Sequence, residues 1–294
     1  LGGCGSRQKT ADVQPPRITV EEARAKLRAI SAKKVQLWVV VHVREHKHLA
    51  ADGSVDQEAL LAGAVRDVDA ALEGGADLVM LINSRCAMPR YESILSAIRA
   101  RHPDVPLGIS ALAYGPANLT EGFRLARAFN AQVVWCETVP GERIEYEDDD
   151  GTYQPAGVIL PDEALGRQRS VMPGAMHVAG VHMKYTRPVD GRSFPDAVRA
   201  SRGLVDGINV TGPRTAVLAD ASKVAQAREA AGDWPLGLAS GVDVDNIGSV
   251  VNYIDYAIVG TSLKDPADDR RVSPARVRAL RDRMDELTGE GVGR

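Results

Sequence analysis

The chain has 294 residues, 44% of them apolar, and a net charge of −3. A core of that size suits one large α/β barrel or two ordinary domains, and the near-neutral balance, with no concentrated basic stripe, argues against a nucleic-acid partner. No apolar run approaches the ~20 residues that span a bilayer; the longest, 35–43, is of strand length.

The first residues read LGGC, which looks like the end of a bacterial lipoprotein signal with Cys4 as the lipidated residue. The charged and apolar regions of such a signal are absent from this chain, so a disordered leader is the alternative. Residues 1–17, polar and carrying Pro15-Pro16, are expected to form a disordered tail. Cys4, Cys86 and Cys136 are an odd, widely spaced set, neither a disulfide framework nor a zinc pattern. A reducing, cytoplasmic setting is the default they imply, with a lipid anchor through Cys4 as the other option.

Residues 17–31 have helical spacing at Val20, Ala23, Leu27 and Ile30, and are expected to cover the N-terminal end of the fold. From there, apolar β-branched runs alternate with segments of helical period. The runs are 35–43, 77–83, 106–113, 132–139, 175–185, 206–212, 235–242 and 256–264. The helical segments are 57–73, 90–101, 119–130, 161–171, 194–202, 221–231, 244–253 and 274–287. Each strand signal precedes a helix signal, which is the count of a closed (β/α)8 TIM barrel forming a single α/β domain over 18–290. A doubly wound open sheet also alternates, but eight pairs with no further domain favour closure. Ser273-Pro274 places a cap before a proline at the first helical position. Asp220 is a second candidate cap, and EGGAD at 73–77 is a glycine stop before a strand. One connection is long: ETVPGERIEYEDDDGTYQPAG (137–157), whose DDG reads as a hairpin turn between polar strands. It is either a lid over the barrel or a solvated hairpin.

In such barrels the functional groups come from the C-terminal ends of the strands. The candidates are therefore His42, Asn83, Glu137, His182 and Lys184 as reacting groups, from the first, second, fourth and fifth strands. Lys184 lies in MHVAGVHMKYTRP, a run otherwise apolar enough to be a barrel strand. Three roles are open to it: neutralising a phosphate or carboxylate, covalent or general-base catalysis, and a structural ion pair. Glu137 is a partner in all three. His182 and Lys184, two apart, share a strand face, whereas His177 faces oppositely. Two histidines and a carboxylate at one mouth invite a metal reading, but no close-spaced ligand motif is present and no metal is assigned. No nucleophile elbow, GxGxxG or P-loop appears, and no motif requires a cofactor.

The seventh and eighth strands are where barrels of this type hold phosphate. The seventh closes on Ser240-Gly241, and the eighth on Gly260-Thr261-Ser262, with a short extra helix expected to start there. Thr211-Gly212 ends the sixth strand beside them. The alternative is that these are turn glycines with no ligand.

The segments DGINVTGPRTA, PLGLASGVDVDNIGSVVNYIDYAIVGTSLKDP and RRVSPARVRAL resemble the C-terminal half of the BtpA/SgcQ family. GGADLVMLIN and GVHMKYT are similar to that family's second and fifth strands, so the resemblance runs from about 35 to 280. It implies a barrel related to phosphate-binding barrels, and self-association is a further expectation from family and fold. The family is linked by name to photosystem I biogenesis, while other members sit among sugar-uptake genes. The chain also departs from it. Ile82 stands at an acidic position of the second strand, and Gly115-Pro116 replaces an Asn-Asp pair. In the fifth strand, Gly180 and Tyr185 replace an Asp and a His, leaving Lys184. The chain admits two readings: an enzyme acting on a small phosphorylated metabolite by lyase, isomerase or glycosyl-transfer chemistry, or a non-catalytic assembly or regulatory factor that keeps the barrel.

Overall fold

The structure is a computed structural model that describes residues 17–111 and 114–291. The expected tail and Cys4 fall outside the described residues, apart from Arg17. The chain begins with α1 (Val20–Ile30), whose N-terminus is tied by a reciprocal capping box: the Glu22 amide donates to Thr19 Oγ1 and the Thr19 amide to the Glu22 carboxylate. Its Ala23, Leu27 and Ile30 are buried.

Eight parallel strands close into a barrel: β1 (Gln36–Val43), β2 (Leu78–Asn83), β3 (Leu107–Ser110), β4 (Val133–Cys136), β5 (Met176–Gly180), β6 (Gly207–Thr211), β7 (Leu236–Ala239) and β8 (Tyr256–Val259). β1 pairs with both β2 and β8, completing the ring. Around it lie α2 (Gln57–Glu73), α3 (Met88–Arg101), α4 (Pro116–Phe129), α5 (Pro161–Ser170), α6 (Phe194–Ser201), α7 (Ala221–Ala231) and α8 (Pro274–Thr288). The strands read as nearly continuous apolar runs because each buries one face inside the barrel and the other under helices. Among the described residues no helix is long and apolar enough to cross a membrane.

The lower barrel is solid. Trp38 stacks on Tyr256 at 4.0 Å between ring centroids, and the Tyr256 hydroxyl donates to Asn209 Oδ1 at 2.7 Å. Glycine is required beside this ring, since a Cβ at Gly237 would lie 2.1 Å from it. α1 seals that end: the Gln36 side-chain amide donates to Leu27 O, and Lys26 pairs with Asp206 at 2.9 Å. Among the described residues the barrel is therefore open only at the opposite, C-terminal mouth.

Three local differences from the expected elements bear on that mouth. The segment 244–253 forms two 3-10 turns, Ile247–Ser249 and Val251–Tyr253, in place of a helix. The Asn246 side chain, bonded to Gly241 O and the Asp243 amide, fixes a loop there instead, and Gly248 with the β-branched pair 250–251 favours helix weakly. β5 stops at Gly180 rather than running to 185, because His182 and Tyr185 take φ of +44° and +60°. The long connection forms the expected hairpin, Ile144–Glu147 with Tyr153–Pro155, but Thr186–Pro188 adds a third strand to it. At the helix ends, Ser273 caps α8 by accepting from the Arg276 amide, whereas Asp220 makes no side-chain cap bond to α7.

Candidate functional site

A cavity of about 630 Å³ opens at the C-terminal mouth. Val40, Ile82, Trp135, Ala239 and Ile258 give it an apolar floor, all from strand positions that point into the barrel. Its polar wall is made by Lys184, His42 and the turns after β7 and β8: Ser240, Gly241 and Gly260 to Ser262. The chain leaving β8 makes a single 3-10 turn at Thr261–Leu263 and then a hairpin, Lys264–Asp265 with Asp268–Val272.

Lys184 is held from two sides. Its amide donates to Thr211 Oγ1 at 2.8 Å, and its Nζ donates to Ser240 Oγ at 3.0 Å. It makes no salt bridge among the described residues, so its charge remains available to a ligand in the cavity. Thr211 and Gly212 do not line the cavity and act from behind it. A Cβ at Gly212 would lie 1.8 Å from Val217 O, and one at Gly241 2.0 Å from the Leu218 nitrogen. These two glycines are therefore explained by the loop at 217–218 packing on the β6 and β7 turns. Ser240 and Gly241 are consecutive left-handed residues, φ +74° and +71°. Gly241→Ala is expected to cost about 2 kcal/mol from backbone strain and overlap, read as a lower denaturant midpoint. An unchanged midpoint would mean that the two loops part freely.

Gly260 has an ordinary φ of −130°, and a Cβ there would come 3.3 Å from His42 Cε1. The His42 ring thus sits against the β8 turn. Burial first, then Arg44, Lys264 and Lys184, holds its pKa down to about 3, with Nδ1 buried and unpartnered. It is a neutral hydrogen-bonding group at physiological pH. The Ser262 hydroxyl donates to Val242 O at 2.6 Å, locking the β8 turn to the β7 turn, while Thr261 is exposed at the cavity edge.

Glu137, just past the end of β4, does not line the cavity; it keeps a partly exposed surface, yet it is set deep enough that desolvation pushes its carboxyl up to about 7, with Lys184 pulling it down. The two are more than 4 Å apart and make no ion pair.

Two candidates lie elsewhere. Asn83 bonds both ways with Cys86, accepting from its amide at 2.8 Å and donating to its carbonyl at 3.0 Å, and so shapes the turn after β2. His182, on the loop past β5, does not share a strand face with Lys184. Its ring lies 3.9 Å from Glu142 and against Phe194, outside the cavity. Glu142 is itself pushed up to about 7 by burial.

Several lining groups were not anticipated. Trp135 was within reach of the sequence, two residues before Glu137 on the same strand face. Arg276, whose Nη1 donates to Ser262 O at 3.1 Å, comes from α8 and gave no strand-end signal. Asp243 and Asp245 line the outer cavity, Asp243 accepting from the amides of Asp245 and Asn246. The departures from the family pattern also acquire a physical form. At Gly180, where the resemblance to the family implies an aspartate, a Cβ would lie 2.0 Å from the Met183 sulfur, so a thioether occupies that space. Tyr185 bonds Thr215 through its hydroxyl at 3.1 Å, tying down the loop beside the cavity.

A profile of the BtpA family matches residues 33–286. An uncharacterized protein of Thermococcus kodakarensis is 29% identical over 245 residues, 79% of this chain and 88% of its own length. Photosystem I biogenesis protein BtpA of Synechocystis sp. is 32% identical over 127 residues, 42% of this chain and 44% of that protein. Among solved structures, phosphoribosyl anthranilate isomerase from Thermus thermophilus aligns with a TM-score of 0.53 at 14% identity, covering 86% of this chain and 100% of that one. That last likeness is one of fold.

Proposed function

Because the chain belongs to the BtpA family, we propose that its barrel mouth binds a small phosphorylated metabolite, a sugar phosphate or nucleotide, and acts on it as an enzyme of lyase, isomerase or glycosyl-transfer type. The observation that carries this is Lys184: a cation without an ion-pair partner among the described residues, placed on the same cavity wall as the Ser240-Gly241 and Gly260 to Ser262 turns. An unpaired cation in such a cavity is stabilised by an anion entering it. The turns supply backbone groups and the Thr261 hydroxyl to phosphate oxygens, and Thr211 and Gly212 support them from behind. Glu137, ionising near pH 7, has the proton affinity of an acid–base group. His42 supplies a neutral hydrogen bond.

Two observations favour the non-catalytic reading. Ile82 and Met183 put apolar surface where the family pattern has acidic groups, and the Synechocystis relative is named for photosystem I biogenesis. Binding comes first in either case. Titration of inorganic phosphate followed by its ³¹P linewidth should show broadening by the wild type that Thr261→Glu removes, since the added carboxylate repels the anion. Equal broadening by both proteins, or none by either, would remove the phosphate site.

A further inference from the structure

His42 also forms part of a second, smaller pocket of about 20 Å³ at the rim between β1 and β8, with Arg44, Lys47, His48, Lys264 and Asp269. Most of the charge there is already matched. Lys47 pairs with Asp269 at 3.1 Å, Lys264 with Asp67 at 3.3 Å, and nearby Arg270 with Asp268 at 2.8 Å. Arg44 is different. It is half-buried, and its side chain has neither a hydrogen bond nor an ion pair with any described residue. Asp269 acts on it only through space and is largely exposed. A partly desolvated guanidinium with five donors has only water to satisfy it here, and an anion would complete it better.

The surroundings point the same way. Arg44, Lys264 and Lys184 reach the His42 ring electrostatically from the end of β1, the β8 hairpin and the β5 loop. Asp67 and Asp269 are the carboxylates in this group, and each already has a cation. His42 is the common wall of the two pockets, with Lys184 in the large one and Arg44 in the small one.

We propose that Arg44 forms a second anion subsite, across the His42 ring from Lys184, that takes a carboxylate. The small pocket, about 20 Å³, favours a compact planar group such as the end of a carboxylate over a bulkier phosphoryl group. A carboxylate also matches the fork of the guanidinium in two parallel hydrogen bonds. Resting on the phosphate reading of the large cavity, this makes the ligand a phosphorylated carboxylic acid, its two anionic groups divided between Lys184 and Arg44. The same subsite would take a separate small carboxylate if the acid and the phosphate arrive on different molecules.

Calorimetric titrations distinguish these cases. The probes are 3-phosphoglycerate against glycerol 3-phosphate, 6-phosphogluconate against sorbitol 6-phosphate, and acetate alone. In at least one pair the acid should bind about 10-fold tighter or more than its counterpart without the carboxylate. Arg44→Gln should bring the acid down to the level of the counterpart, and Arg44→Lys should restore part of the difference. Acetate binding to the wild type but not to Arg44→Gln, with equal affinities within each pair, places a separate carboxylate in the subsite. Binding of the phosphorylated compounds with no preference for acids and no acetate binding overturns the subsite and leaves the phosphate site standing. Acetate binding that needs Arg44, with no phosphorylated compound bound, keeps the subsite and overturns the phosphate site. No binding of any probe overturns both.

Discussion

Lys184→Met is expected to weaken the binding of a phosphorylated ligand by about 10- to 100-fold, because a hydrogen bond to a charged group contributes about 1.5–3 kcal/mol. Methionine keeps most of the length and apolar stem of the side chain while removing its charge. The bond that positions this loop, from the Lys184 amide to Thr211 Oγ1, belongs to the backbone and survives the change. Ser240 loses its donor at 3.0 Å, but its hydroxyl faces a cavity where water can replace it. The fold should therefore hold, with Tm nearly unchanged, while calorimetric affinity for inorganic phosphate or a sugar phosphate falls. Lys184→Arg should retain part of the affinity. If Lys184→Met binds as tightly as the wild type, Lys184 is not the anchor, and Arg276 at the outer edge of the cavity becomes the group to test.

Glu137→Gln should stabilise the protein at pH 8 and leave it unchanged at pH 4. Desolvation raises the carboxyl from its ordinary value of 4.5 to about 7 in the folded chain. Between those values the folded state holds a proton that the unfolded state has released. Stability therefore falls as pH rises from 4.5 to 7 and stays reduced above it. Glutamine cannot ionise and escapes the loss. A rise of that size corresponds to at most about 3 kcal/mol, and the partial exposure of Glu137 at the mouth reduces it. A gain in Tm of roughly 4 °C or more at pH 8, against none at pH 4, is the expected pair of melts. Equal loss of stability at both pH values would show that the carboxyl makes a native bond.

The barrel was legible because its strands and helices carry strong, different periods, and because Ser273-Pro274 and the glycines at 74 and 75 punctuate them. Sequence pattern placed Lys184, Ser240, Gly241 and Gly260 to Ser262 at strand ends, and the structure gathers them with His42 around one cavity. What it missed depends on backbone geometry that residue type does not announce. Nothing in VHMKY indicates that His182 and Tyr185 turn left-handed, ending β5 early and leaving the His182 ring beside Glu142 and Phe194 rather than in the cavity. Asn83 looked like a strand-end polar group, although Asn closing a turn on a residue three ahead is a familiar local pattern. Gly212 and Gly241 suggested a phosphate cradle, but the backbone at 217–218 already requires their lack of a Cβ. Segment 244–253 had helical spacing in its apolar residues, and the bonds of a single side chain, Asn246, hold its start as a loop.

The most direct test of the phosphate-binding account is a thermal-shift screen of the purified protein against phosphorylated sugars, nucleotides and inorganic phosphate. A ligand at about 1,000 times its Kd adds about 4 kcal/mol to the native state, which should raise Tm by roughly 8 °C. The account predicts such a rise with at least one phosphorylated compound, abolished in Thr261→Glu and reduced in Lys184→Met. No rise across the panel, or an equal rise in both variants, would contradict it.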